Sequence, residues 1–163
     1  MRSSPQIEAA QASRHELAAE LLQKSGTLVL SATGHSMVPT IWPGDTIVIE
    51  RVASDRFVAG DIVLFSNRQR FVAHRVVARD HSAKNARILT RGDASETADA
   101  PVTVTDLLGK VSFIIRNGRC VEPGMNLRGS GRVLARLLSR SRIAARVVVG
   151  IHGLARKSQV PTI

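Results

Sequence analysis

A single cysteine, Cys120, stands in 163 residues; tyrosine is absent, and the aromatics are Phe57, Phe65, Phe71, Phe113 and Trp42. One thiol excludes an intramolecular disulfide and any cysteine-built metal cluster, so cysteine usage gives no sign of an oxidising compartment. With so few rings, Val, Ile, Leu and Ala must fill the core. The 44% hydrophobic content suffices for one compact domain with short appendages, and the length leaves no room for two independent ones. Long apolar runs are missing too. The amino terminus, MRSSPQIEAAQASRHELAAELLQ, has acids and glutamines where a signal sequence needs about 7–15 apolar residues, and no stretch reaches the roughly 18 of a membrane-spanning helix. The expectation is a chain without signal peptide or transmembrane helix, cytoplasmic or peripheral at the cytoplasmic membrane face.

Acidic residues are scarce in one region only. Of 23 Lys and Arg, ten lie in residues 116–163 against a single acid, Glu122, so nearly all of the net charge of +10 sits in the tail. A basic tail of this kind seeks an anionic partner. Residues 132–156 have a helical pattern in which Arg132, Arg136, Arg140, Arg142 and Arg146 share one half of the wheel. Leu134, Leu137, Leu138, Ala145, Val148 and Val149 lie on the other half. Such a helix is expected to lie in a membrane interface, with docking on the body as the second reading and nucleic acid the least expected partner.

What is present between the ends is β pattern. Residues 6–24 set Ile7, Ala10, Leu17, Ala18, Leu21 and Leu22 on one helical face, and Gly26 follows as a stop. From Thr27 the periodicity changes to β-branched runs punctuated by Gly-Asp turns: TLVLSAT, DTIVIERV, DIVLFS, RFVAHRVVA, ARILTRG and PVTVTDLLGKVSFIIR. They predict six or seven strands. Turn residues cluster again after Gly118, which divides the chain into an amino-terminal helix (1–25), a β domain (26–125) and a basic helical tail (126–163).

The segment with most chemical content is GHSMVPTIWPGD, residues 34–45. A serine in a tight Gly-containing turn after a strand exposes its hydroxyl and leaves its own backbone N–H free to meet an oxyanion. Met37 is expected to line an apolar substrate subsite, and Pro39 fixes the chain direction beyond the turn. A serine hydroxyl is a weak nucleophile near neutral pH and needs a base. His74, in FVAHRVV (71–77), is the candidate, because an imidazole serves as a base near pH 7 without the strong desolvation that a lysine needs. A carboxylate that fixes the imidazole tautomer completes the set. Asp99 and Asp93, both in GDASETAD (92–99), are the choices.

The string GHSMVPTIWPGD resembles the nucleophile box of signal peptidase I and of the LexA-type self-cleaving repressors. GDIVLF (60–65), FVAHRVV (71–77), ILTRGDA (88–94) and LLGKV (107–111) follow in the order and approximate spacing of the signal peptidase family. The resemblance covers about residues 27–115. It implies a mainly β fold with coiled antiparallel sheets and a substrate groove, carrying a short helix at the amino end and the basic amphipathic helix at the other. It further implies a serine endopeptidase that cuts an extended peptide or preprotein with small side chains near the scissile bond. Bacterial members and the LexA relatives use a lysine base. The histidine here is similar to the endoplasmic-reticulum and archaeal branch, in which the orienting acid lies a few residues after the Gly-Asp pair, so Asp99 is preferred and Asp93 is the second choice. Many bacterial members also carry a serine two residues before the nucleophile, where its hydroxyl assists the oxyanion; that place is Gly34 here, leaving the Ser36 backbone N–H as the oxyanion donor. No metal or cofactor is implied, and His15, His81 and His152 lack a partnered motif. The alternatives are a LexA-like regulator that cleaves itself and a non-catalytic membrane-surface module that retains the fold.

Overall fold

The computed structural model describes residues 16–53, 56–67, 70–80, 87–103 and 106–124. Its first element, α1, is helical over residues 16–25. Ala18 and Leu22, one helical turn apart, are buried in the main core, whereas Leu17 and Leu21 are exposed. The buried stripe is therefore narrower than the sequence pattern suggests. Gly26 ends the helix with φ 71° and donates its N–H to the Leu22 carbonyl at 3.1 Å, the left-handed cap that glycine adopts without a Cβ clash.

Among the described residues eight strands follow: β1 Thr27–Ser31, β2 Thr46–Glu50, β3 Ile62–Asn67, β4 Arg70–Asp80, β5 Arg87–Arg91, β6 Val102–Thr103, β7 Leu107–Arg116 and β8 Arg119–Val121. All pairings are antiparallel, in the order β1-β2-β7-β3-β4-β5-β6, with β8 also on β7. The mainly antiparallel β class expected from the sequence is the one observed. Bulges at Val48/Ile49, Leu64/Phe65 and Val76/Ala78 each add a residue to one strand, which bends the sheet and increases its coil.

The Ile62-Val63-Leu64-Phe65 run is buried throughout, because β3 lies between two cores and its side chains alternate between them. Ile62 and Leu64 join Ala18, Leu22, Leu28, Met37, Ile41, Ile47, Ile49, Val111 and Ile114. Val63 and Phe65 join Phe57, Val76, Ile88 and Val102. Continuous apolar character in β3 thus reflects burial on both faces.

Two features depart from the sequence pattern. The run PVTVTDLLGKVSFIIR divides into β6, on β5 at one end of the sheet, and β7, in the middle between β2 and β3. Strand β8 was not expected, although Asn117 and Gly118, at φ 51° and 73°, form the two-residue hairpin turn that Asn-Gly favours, with Arg116 opposite Arg119. The proposed tail, with Arg132, Arg136, Arg140, Arg142 and Arg146, lies outside the described residues, as does the amino-terminal half of the expected first helix.

Candidate active site

Ser36 lies in the turn that follows β1. Two successive backbone bonds, Val38 N–H to His35 O at 3.2 Å and Ile41 N–H to Met37 O at 2.9 Å, curl residues 35–41 into a compact loop. Met37, Val38 and Ile41 anchor it from below, each no more than 4% exposed. This corrects the expectation for Met37. Its side chain packs in the main core beneath the turn instead of standing open as a substrate subsite, because an apolar anchor is what holds the serine at the rim. Pro39 is half-buried, and its carbonyl accepts the Trp42 indole N–H at 2.8 Å.

His74 stands on β4, opposite Val63 of β3. It is 8% exposed, and its ring meets Phe65 edge-on at a centroid separation of 6.1 Å. Its Nε2 is 2.8 Å from Ser36 Oγ and its Nδ1 is 2.6 Å from Asp99 Oδ2. The carboxylate only accepts, so Nδ1 carries the proton and Nε2 offers its lone pair to the serine hydroxyl. A third contact, from Thr90 Oγ1 to Asp99 Oδ2 at 2.7 Å, extends the row into β5. Serine, imidazole and carboxylate, 38 and 25 positions apart in the chain, therefore stand in one hydrogen-bonded series.

Asp93 is placed elsewhere. The Arg75 guanidinium donates to both of its oxygens at 2.8 Å, and Thr40 Oγ1 donates to it as well. Arg75 also reaches the carbonyls of Gly60 and Gly124, each at 2.7 Å. The structure therefore puts Asp99 on the imidazole and uses Asp93 to tie the nucleophile loop to β4. The other two Gly-Asp turns are built alike: Asp45, fully buried, pairs with Arg116, and Asp61 pairs with Lys110 at 2.6 Å. Each acid also takes a backbone N–H of its own turn, from Trp42 and Val58 respectively. A carboxylate that accepts local amides and is neutralised by a cation from another strand fixes a turn against the sheet. Lys110 is thereby engaged by Asp61.

The loop after β5 approaches the nucleophile closely. The Ala94 N–H donates to the Ser36 carbonyl at 2.8 Å. A Cβ at position 92 would lie 2.6 Å from that carbonyl oxygen and 3.0 Å from Ser36 Cβ, so only glycine fits. At Gly34, in contrast, a Cβ would meet nothing within 4 Å. The Ser36 backbone N–H has no acceptor among the described residues, which leaves it available to an incoming oxyanion. Among the described residues no cluster of three or more His, Cys, Asp or Glu is placed to hold a metal ion. Sequence reasoning missed Thr40, Arg75, Thr90 and Gly92, although all four lie inside the quoted boxes and Arg75 directly follows His74.

An antiparallel β domain that holds a serine hydroxyl on an imidazole, and the imidazole on a carboxylate, has the architecture of a serine peptidase. Residues 3–111 match the peptidase S24-like family. The match spans more than half of the chain, and the protein belongs to that family, which includes signal peptidases and LexA-like self-cleaving proteins. No curated protein matches the chain.

Proposed function

We propose that the protein is a serine endopeptidase of the signal peptidase I type, in the branch that uses histidine as base. The observation that supports this most is the Ser36–His74–Asp99 series at 2.8 and 2.6 Å. Ser36 Oγ attacks the scissile carbonyl carbon while His74 Nε2 takes the hydroxyl proton, and Asp99 stabilises the imidazolium. The tetrahedral oxyanion forms at the Ser36 backbone N–H. His74 then returns the proton to the departing amine, leaving the acyl-enzyme. Water, deprotonated by the same imidazole, releases the new carboxyl group and regenerates the serine.

The substrate class in this reading is an extended peptide or preprotein with small side chains near the cut. Strand β1 pairs only with β2 among the described residues, and it leads into the nucleophile loop within five positions. An extended peptide can add to its free edge and bring a carbonyl to Ser36. Among the described residues no helix is long and apolar enough to cross a membrane. In the proposed arrangement, residues 26–125 form the catalytic unit, and the basic helix of residues 126–163 contacts an anionic membrane surface from the cytoplasmic side.

The test is cleavage of a fluorogenic peptide with alanine at the first and third positions before the scissile bond. Wild type cuts it, and both Ser36→Ala and His74→Ala lose the activity; cleavage that persists in both variants overturns the proposal. Discrete fragments formed by the protein alone, without cleavage of the peptide, would move the reading to a self-cleaving regulator.

A further inference from the structure

Thr90 is a fully buried polar residue, 0% exposed, the fourth of the five residues of β5. At such a position a β-branched apolar side chain of the same shape is the ordinary choice, because it fits the strand and needs no partner. A hydroxyl there must be satisfied internally. Its partner is Asp99, and the grip has two points: Thr90 Oγ1 donates to Asp99 Oδ2 at 2.7 Å, and the Thr90 carbonyl accepts the Asp99 backbone N–H at 2.8 Å.

We propose that Thr90 is a positioning residue for the histidine base, acting through Asp99; the inference rests on the peptidase reading above. The oxygen that Thr90 holds is the one that accepts His74 Nδ1–H at 2.6 Å. Asp99 follows a segment without regular structure, residues 92–98, and its side chain is 26% exposed. Water can therefore compete for the carboxylate. The backbone bond fixes where residue 99 sits, and the hydroxyl fixes which way its carboxylate turns. With the hydroxyl removed, Oδ2 has one fewer donor, the carboxylate rotates toward solvent, and the imidazole loses its orientation toward Ser36. Thr90 touches neither substrate nor the reacting atoms, so the defect falls on turnover and leaves binding intact.

The experiment compares Thr90→Val, which keeps the shape and the backbone bond, with Thr90→Ser, which keeps the hydroxyl. Both are made in the full chain and assayed with the same alanine-containing peptide. Thr90→Val lowers kcat about tenfold, the scale of one lost bond to a charged acceptor, with KM within about twofold of wild type, whereas Thr90→Ser restores most of the rate. In proton NMR, the far-downfield Nδ1–H resonance that a short imidazole–carboxylate bond produces moves in Thr90→Val and returns in Thr90→Ser. Wild-type kcat and an unchanged resonance in Thr90→Val overturn the inference, as does a Thr90→Ser variant as impaired as Thr90→Val. If wild type fails to cut the peptide, the peptidase reading falls, and the resonance still decides the role of Thr90. Thr90→Ala read by the same resonance takes the place of Thr90→Val should that variant not fold.

Discussion

Replacing Gly92 with alanine perturbs the nucleophile through a single methyl group. The new Cβ would stand 2.6 Å from the Ser36 carbonyl oxygen, 2.8 Å from Ser95 Oγ and 3.0 Å from Ser36 Cβ. Ser95 can rotate away, but two of these atoms belong to the nucleophile itself. An ordinary carbon–oxygen contact needs about 3.3 Å, so the Ser36 turn must retreat by roughly 0.7 Å. That displacement weakens the Ala94 N–H bond to Ser36, now 2.8 Å, and stretches the Ser36 Oγ to His74 Nε2 contact, also now 2.8 Å, toward the edge of hydrogen-bond reach. Misplacement of a reacting group on the order of 1 Å costs about 100-fold in rate, while overpacking of this size costs about 1–3 kcal/mol of stability. The assay is kcat for peptide cleavage beside a thermal unfolding curve, with Gly34→Ala as control because its Cβ enters open space. Gly92→Ala should remain folded with kcat reduced about 100-fold, and Gly34→Ala should lie near wild type. A Gly92→Ala variant with wild-type kcat would refute the reasoning, since it would mean that the close approach does not hold the serine.

Gly34→Ser places a hydroxyl where the side chain has room; a second oxyanion donor there should raise kcat by about tenfold or more, and kinetics on the same peptide will show the gain or its absence. Asp45→Ala removes a fully buried carboxylate from Arg116 and from the Trp42 N–H. Because Arg116 is partly exposed and can turn to water, the loss is about 3 kcal/mol, near the lower end for a broken buried pair, measured by urea unfolding; an unchanged midpoint contradicts the clamp.

The sequence carried the strands well because turn chemistry marks their ends: Gly44, Gly60 and Gly118 adopt positive φ next to Asp or Asn, and apolar alternation supplies the rest. It carried Ser36 and His74 because each lies in a box whose residue types have a chemical reason. It left Asp99 and Asp93 open since both belong to one short loop, and the choice depends on how β4 and β5 register, with Val76 opposite Thr90. No periodicity encodes that pairing. The same holds for the partners of the buried acids, where Arg75, Lys110 and Arg116 come from strands distant in sequence. Met37 was misjudged because adjacency to the nucleophile says nothing about which way a turn residue points, and the core beneath the loop took it. Strand β8 was legible in Asn117-Gly118 but short enough to be read as part of the exit from the domain.

The proposed mechanism turns on Ser36 being a nucleophile activated by His74. Reaction with a serine-directed fluorophosphonate, followed by tandem mass spectrometry, tests it without knowledge of the natural substrate. A phosphonyl adduct is expected on Ser36 in wild type and is lost in His74→Ala, with both proteins folded by circular dichroism. An adduct on another serine, no adduct on folded wild type, or equal labelling of Ser36 in His74→Ala would contradict it.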